Sequence, residues 1–323
     1  MSEPEKRRVL IALGGNAMTG PDGSATPQAQ RAAVARAAEC VAGLVASGAE
    51  VVLAHGNGPQ VGNLLVKNEL TAHVVPPVPL DWCGAQTQGT LGFTIVSVLE
   101  SALRRRGVPV PVAAVVTRTL VDPADPAFDR PSKPVGRWLP RDEALRLAGP
   151  QQHWMDCGPG GWRRVVPSPE PLEVLDAHAV QTLLGAGFVT VAAGGGGIPV
   201  ARDADGAECG VEAVLDKDLT AALLATTVGA DTLVIATDVP YAMLDFGTER
   251  QRPVTHITPQ ELRRHAADGQ FAGGSMGPKV EAAVRFAEGG GRAVITTLDR
   301  ITDAVAGAAG TVVALATAPA PPR

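Results

Sequence analysis

VLIALGGNA, residues 9–17, is the stretch on which the reading of this chain turns. An unbroken apolar run ends in Gly14 and Gly15, and Asn16 follows. Such a run suits a strand buried on both faces, as in a parallel sheet flanked by helices. Two glycines at the strand end leave the main chain bare, so an anion can approach the backbone N–H groups. Open parallel sheets bind their ligands at the carboxyl ends of the strands. Residues 9–17 therefore predict a buried strand that leads into a phosphate or anion cradle.

Working outward, residues 26–46 predict a helix that starts at Thr26-Pro27, with proline at the first helical position. Val34, Ala37, Val41, Leu44 and Val45 form its apolar stripe, and Gly48 is the stop. A second buried strand, 51–54, ends in a second glycine loop, HGNGPQVG at 55–62. Strand, helix and strand make a βαβ unit with two bare strand ends side by side. A long helix is expected at 85–106 and a third strand at 109–120. Prolines then crowd residues 121–162, and apolar periodicity fades. A segment this long without regular structure predicts a protruding lid, and it carries Lys133 within SKPVG. The core is expected to resume at 163–171, followed by a helix at 176–184 and a strand at 188–193. GGGGIPV, 194–200, then reads as a third bare strand end. It lacks the Gly-x-Gly-x-x-Gly spacing and the following helix of a dinucleotide site.

Asp216 is placed to cap a helix whose first turn holds Lys217 and Asp218. A lysine at the positive end of a helix dipole runs against ordinary helix design and points to function. A strand at 232–236 ends in Thr237-Asp238-Val239. A helix at 259–267 and GGSMGPKV, 273–280, lead to a further helix with Lys279 near its start. Strands at 293–297 and 310–315, with a short helix at 301–306 between them, complete the pattern. Alternating strands and helices indicate an α/β fold, a three-layer α/β/α sandwich with a mainly parallel central sheet and a small protruding subdomain. The expected organisation is one domain over 1–323. Its N-lobe spans about 8–200 with the lid at about 121–162, its C-lobe about 201–317, and 318–323 form a tail.

Composition narrows the function. Hydrophobic residues make up 45% of the 323 residues, enough for a substantial core, while aromatics at 3% and a net charge of −5 argue against nucleic acid as partner. Cys40, Cys83, Cys157 and Cys209 are far apart and form no Cys-x-x-Cys, which favours structural thiols over a zinc site or disulfide frame. No apolar run reaches the length of a membrane span, and MSEPEKRR lacks the apolar segment of a signal peptide, so a cytoplasmic protein is expected.

The glycine loops, Lys133, Lys217 and Lys279 collect at strand ends and helix starts, and no Gly-x-x-x-x-Gly-Lys-Ser/Thr motif is present. Phosphate would then be held by main-chain N–H groups and several lysines. Phosphoryl transfer needs alignment and cations around the moving oxygens rather than covalent help. His55 suits either a ligand-facing or a packing role.

The motifs ALGGNA, HGNGPQVGN, LDWCGAQTQG, SKPVG, RRVVPSPEP, GGGGIPV, GVEAVLDKDL and GSMGPKVEAA, spread over residues 9–315, resemble those of the carbamate kinases in the amino acid kinase family. The resemblance implies phosphoryl transfer between ATP and carbamate, giving ADP and carbamoyl phosphate, with Mg²⁺ and a homodimer. By the same resemblance Gly14, Gly15, Asn16, Gly56 and Asn57 would bind the phosphoryl group and carbamate. Lys133 and Lys217 would stabilise charge, Asp218 would orient the lysines, and Lys279 would sit by the nucleotide phosphates. Asp238, Tyr241 and Met276 would lie at the nucleotide, and no protein residue is assigned to the metal. Cousin kinases carry a lysine where this chain has Ala12, and Lys133 would substitute for it. The chain departs from the family pattern at Arg137, Pro159 and Pro240-Tyr241-Ala242-Met243. Two other readings are an acid kinase of the same fold acting on another small carboxylate or phosphonate, and a catalytically silent nucleotide-binding regulator.

Overall fold

The strand Arg8–Leu13 runs through the middle of the molecule, and residues 9–13 are at most 1% exposed. In this computed structural model the described residues are 7–20, 26–148, 152–271 and 276–316, without the side chain of Asn16. The expected tail at 318–323 and the Gly273–Ser275 portion of GGSMGPKV lie outside them. Arg8–Leu13 pairs in parallel with Glu50–His55 on one side and with Thr232–Thr237 on the other. Among the described residues these belong to an eight-stranded sheet. Val189–Val191 and Val112–Ala114 extend it beyond Glu50–His55, while Arg292–Thr297, Thr311–Val313 and His256–Ile257 extend it beyond Thr232–Thr237.

Side chains alternate across this sheet. Leu10, Ala12, Val52 and Ala54 pack with Ala221, Leu224, Val284 and Phe286 from the helices Lys217–Thr227 and Met276–Glu288. Val9, Ile11, Leu13, Val51 and Leu53 pack on the other face with Val34, Val41, Leu99 and Leu103 from the helices Pro27–Ala46 and Leu80–Arg105. The period of two, with both sets apolar, is what makes the run continuous in sequence and gives the three layers. Burying each larger aliphatic side chain contributes about 2 kcal/mol.

Several boundaries differ from those expected. Residues 58–62 are not loop but the first turns of a helix, Gly58–Thr71, with Pro59 in its first turn. The run 109–120 divides into Val112–Ala114 in the central sheet and Arg118–Leu120 in a second, four-stranded sheet. Residues 163–166 do not resume the core. Trp162–Val166 is the middle strand of a three-stranded antiparallel sheet with Lys133–Leu139 and His153–Asp156. Val166 looks like core strand because a local core serves it, where Val135 and Val166 meet Val61, Leu65, Leu80 and Cys83. Thr311–Val313 runs antiparallel to Arg292–Thr297.

Candidate active site

Parallel pairing brings the carboxyl ends of Arg8–Leu13, Glu50–His55 and Thr232–Thr237 to one side. The loops that leave them are stitched together. Gly14 N–H donates to Ala236 O at 3.0 Å, and Gly56 N–H donates to Leu13 O at 3.0 Å. A Cβ on Gly56 would stand 3.3 Å from Gly15 N and 3.4 Å from Lys217 Cδ, so the second loop lies directly against the first and against the lysine stem. Gly14 and Gly15 open onto a pocket of about 280 Å³ whose lining includes Ala17, Thr237, Asp238 and Lys279.

The helix Lys217–Thr227 enters this corner through its N-terminus. Asp216 caps it, with Oδ1 accepting from Asp218 N–H at 2.9 Å and Leu219 N–H at 3.4 Å. Asp218 is buried between two ammonium groups, Lys217 Nζ at 2.5 Å and Lys279 Nζ at 3.1 Å. Burial pushes the Asp218 carboxyl up, but the charges and hydrogen bonds of Lys217 and Lys279 outweigh it and hold the group below its usual range. Two lysines share this one carboxylate, so two ammonium groups are held at the strand ends, where an incoming anion would be stabilised. Lys133 arrives from the lid, its Nζ 2.8 Å from Asp216 Oδ2.

His55 is fully buried beneath this corner. Its Nδ1 lies 3.1 Å from Gly56 O, and since a carbonyl can only accept, Nδ1 carries the proton of the neutral ring. Burial, reinforced by the charge of Lys217 and partly offset by the bond to Gly56, lowers its pKa to about 4. Asn57 is buried as well and donates from Nδ2 to Thr87 Oγ1 at 2.8 Å.

The four-glycine turn corrects the reading of a third bare strand end. A Cβ on Gly194 would lie 2.5 Å from His55 Nε2, and one on Gly195 would lie 2.1 Å from Asn57 Nδ2. Cβ atoms on Gly196 and Gly197 would meet Leu215 and Thr119. These glycines make room for side chains of the protein itself. Gln88 fixes the turn, donating to Gly194 O at 3.0 Å and to Thr117 O at 3.1 Å while accepting from Thr117 N–H at 2.8 Å.

With this geometry in place, residues 7–297 match the amino acid kinase family. The chain belongs to the amino acid kinase family. Within it, the carbamate kinase of Thermococcus kodakarensis is 46% identical, over 94% of this chain and 98% of the relative. The carbamate kinase of Pyrococcus furiosus is 43% identical, over 94% and 98%. Among solved structures, carbamate kinase from Giardia lamblia bound to AMP-PNP superposes with a TM-score of 0.90 at 39% identity, covering 96% of this chain and 99% of that one. N-acetylglutamate synthase from Neisseria gonorrhoeae, at 17% identity and a TM-score of 0.56, shares the fold alone over 95% of this chain and 61% of its own.

Of the residues singled out on this amino acid kinase chain, the structure gathers Gly14, Gly15, Gly56, Lys217, Asp218, Asp238 and Lys279 at one corner. Asn57 lies just behind them, and Lys133 joins through Asp216. The Asn16 side chain is outside the described parts. Tyr241 and Met276 are half-buried and do not line the pocket with Asp238, and Met276 packs against the core. The sequence marks Asp216 as a cap and gives Gln88 no role. The alternation Asp216-Lys217-Asp218 was the available signal for the first, and nothing local marked the second.

Proposed function

We propose that this amino acid kinase transfers a phosphoryl group reversibly between ATP and carbamate, with ADP and carbamoyl phosphate as the other pair. The observation that carries the reading is the lid lysine. Position 12 is a buried alanine, and Lys133 reaches in from outside the sheet to lie beside the helix that begins with Lys217, which supports its standing in for the missing cation.

In this mechanism the backbone of Gly15 cradles the phosphoryl oxygens, while Gly14 and Gly56, whose own N–H groups tie the strand ends together through Ala236 O and Leu13 O, line the approach, with Asn16 and Asn57 completing the carbamate side. Lys217 and Lys133 stabilise charge that spreads onto the equatorial oxygens as the phosphoryl group moves. Asp218 keeps Lys217 and Lys279 in place, and Lys279 steadies the nucleotide phosphates in the pocket it shares with Asp238. Tyr241 and Met276 belong to the nucleotide side, the C-lobe of the cleft. AMP-PNP on the Giardia relative supports ATP and ADP as the nucleotide pair. Among the described residues no group of three or more His, Cys, Asp or Glu side chains forms a metal cage, and both oxygens of Asp218 are taken by lysines. These residues fit Mg²⁺ carried by phosphate oxygens and water, with Asp238 the nearest carboxylate in the pocket lining. When bound there, the ion would neutralise charge on the β- and γ-phosphate oxygens. A homodimer completes the proposal, and among the described residues no helix is long and apolar enough to cross a membrane.

The test is a coupled ADP-release assay with carbamate, acetate, aspartate, glutamate and acetylglutamate as acceptors, run beside ATP formation from carbamoyl phosphate and ADP. Turnover with carbamate and in the reverse direction is expected. Activity confined to another acid, or nucleotide binding without turnover, would overturn the assignment.

A further inference from the structure

We infer that Asp216 is a positioning residue for the reaction, the catch that fixes the lid lysine over the phosphoryl site. The inference rests on the role of Lys133 proposed above. Lys133 stands at the start of the strand Lys133–Leu139, and its side chain is 36% exposed. A lysine in that setting keeps its rotamer freedom unless something pins the ammonium group. Asp216 Oδ2, 2.8 Å from Nζ, is the carboxylate that meets it.

The carboxylate is itself immobile. Its side chain is 12% exposed, and Oδ1 is committed to the helix N-terminus through Asp218 N–H and Leu219 N–H. With one oxygen tied to the helix, the other has a fixed direction. The main chain leading to it is tied to the base of the lid, because Val214 N–H donates to Pro167 O at 3.0 Å and Ser132 N–H donates to Val166 O at 3.2 Å. Asp216 therefore couples two parts of the site that come from distant sequence. One oxygen sets the helix whose first residue is Lys217, and the other sets the lysine of the lid. Along this edge the charges alternate as Lys133, Asp216, Lys217, Asp218 and Lys279.

A cap and a catch make separable demands. A cap needs an acceptor oxygen, which asparagine or serine also provides, whereas a catch needs the charge. Asp216→Asn should therefore keep the wild-type melting temperature and lower kcat about tenfold or more, with KM for the acid acceptor changing less than kcat. Asp216→Ser supplies the same comparison with a second capping side chain. On a Lys133→Met background, Asp216→Asn should have no further effect on kcat, since the lysine it positions is gone. A wild-type kcat in both Asp216→Asn and Asp216→Ser, or full additivity with Lys133→Met, would overturn the inference while leaving Lys133 in place. Undiminished turnover in Lys133→Met would instead remove the lid lysine from the mechanism, and this inference with it.

Discussion

The turn after Arg8–Leu13 and the turn after Val189–Val191 are both rich in glycine, yet they use the missing side chain in opposite directions. At Gly14 a Cβ would stand 2.9 Å from Ala236 O, but at Gly15 it would meet nothing within 4 Å, so there the backbone is bare towards open space. At Gly194 and Gly195 the space is already filled, by the His55 ring and the Asn57 carboxamide. The first turn is shaped for something that arrives from outside. The second is shaped for side chains of its neighbour, the loop that follows Glu50–His55. A glycine run after a buried strand thus marks close approach without saying by what.

The largest expected effect falls on the open side. Lys217→Met removes a charge from the site, while Lys279 remains to neutralise Asp218. Turnover should fall a hundredfold or more, on the order of 3 kcal/mol, with the melting temperature little changed. Near-normal turnover in a folded variant would take Lys217 out of the chemistry.

On the filled side the largest effect is with pH. His55 titrates near 6.5 when unfolded and at about 4 in the fold, so below 6.5 the unfolded state binds more protons. Stability is therefore expected to fall by about 3 kcal/mol as pH drops from 6.5 to 4. Asp218, with its lowered pKa, adds a further loss at more acid pH, below its unfolded value. Denaturant titrations of wild type and His55→Asn at several pH values test this. An equal slope between pH 6.5 and 4 in both proteins would mean that the imidazole is not buried as described.

Two glycine substitutions then set the turns directly against each other. Gly195→Ala places a methyl 2.1 Å from Asn57 Nδ2 at a residue with φ of +67°, and should lower stability by about 2 kcal/mol. Gly15→Ala meets no atom, so its melting temperature should match wild type. Its methyl would nevertheless stand in the anion cradle and lower kcat/KM about tenfold. Thermal melts beside steady-state kinetics separate the two cases. Loss of stability in Gly15→Ala with unimpaired activity would break the contrast.

Most of the secondary structure was legible because the signals are local. Thr26 accepts from Ala29 N–H at the start of Pro27–Ala46, and Pro259–Ala267 begins with a complete capping box at Thr258 and Glu261. The helix Gly58–Thr71 escaped because Gly-Asn-Gly reads as a turn, and because Asn57 does not cap it. Its Nδ2 donates to Thr87 Oγ1 instead. Pro59, in the first turn, was the overlooked start signal. Residues 163–166 read as main-sheet strand because apolar periodicity reports burial, and the small core under the lid buries Val166 to 3% exposure. The direction of Thr311–Val313 has no sequence signature at all.

By itself the sequence determined that buried strands would end in bare loops, that a helix would begin at Asp216 with Lys217 and Asp218 in its first turn, and that a segment near Lys133 would leave the sheet. Each depends on residues within a turn or two of one another. The tertiary structure decided which bare backbone faces open space and which receives a side chain, and that the half-buried lysine of the lid ends on Asp216, 83 positions away. Those outcomes depend on distances between residues that only the packing of one element on another brings together.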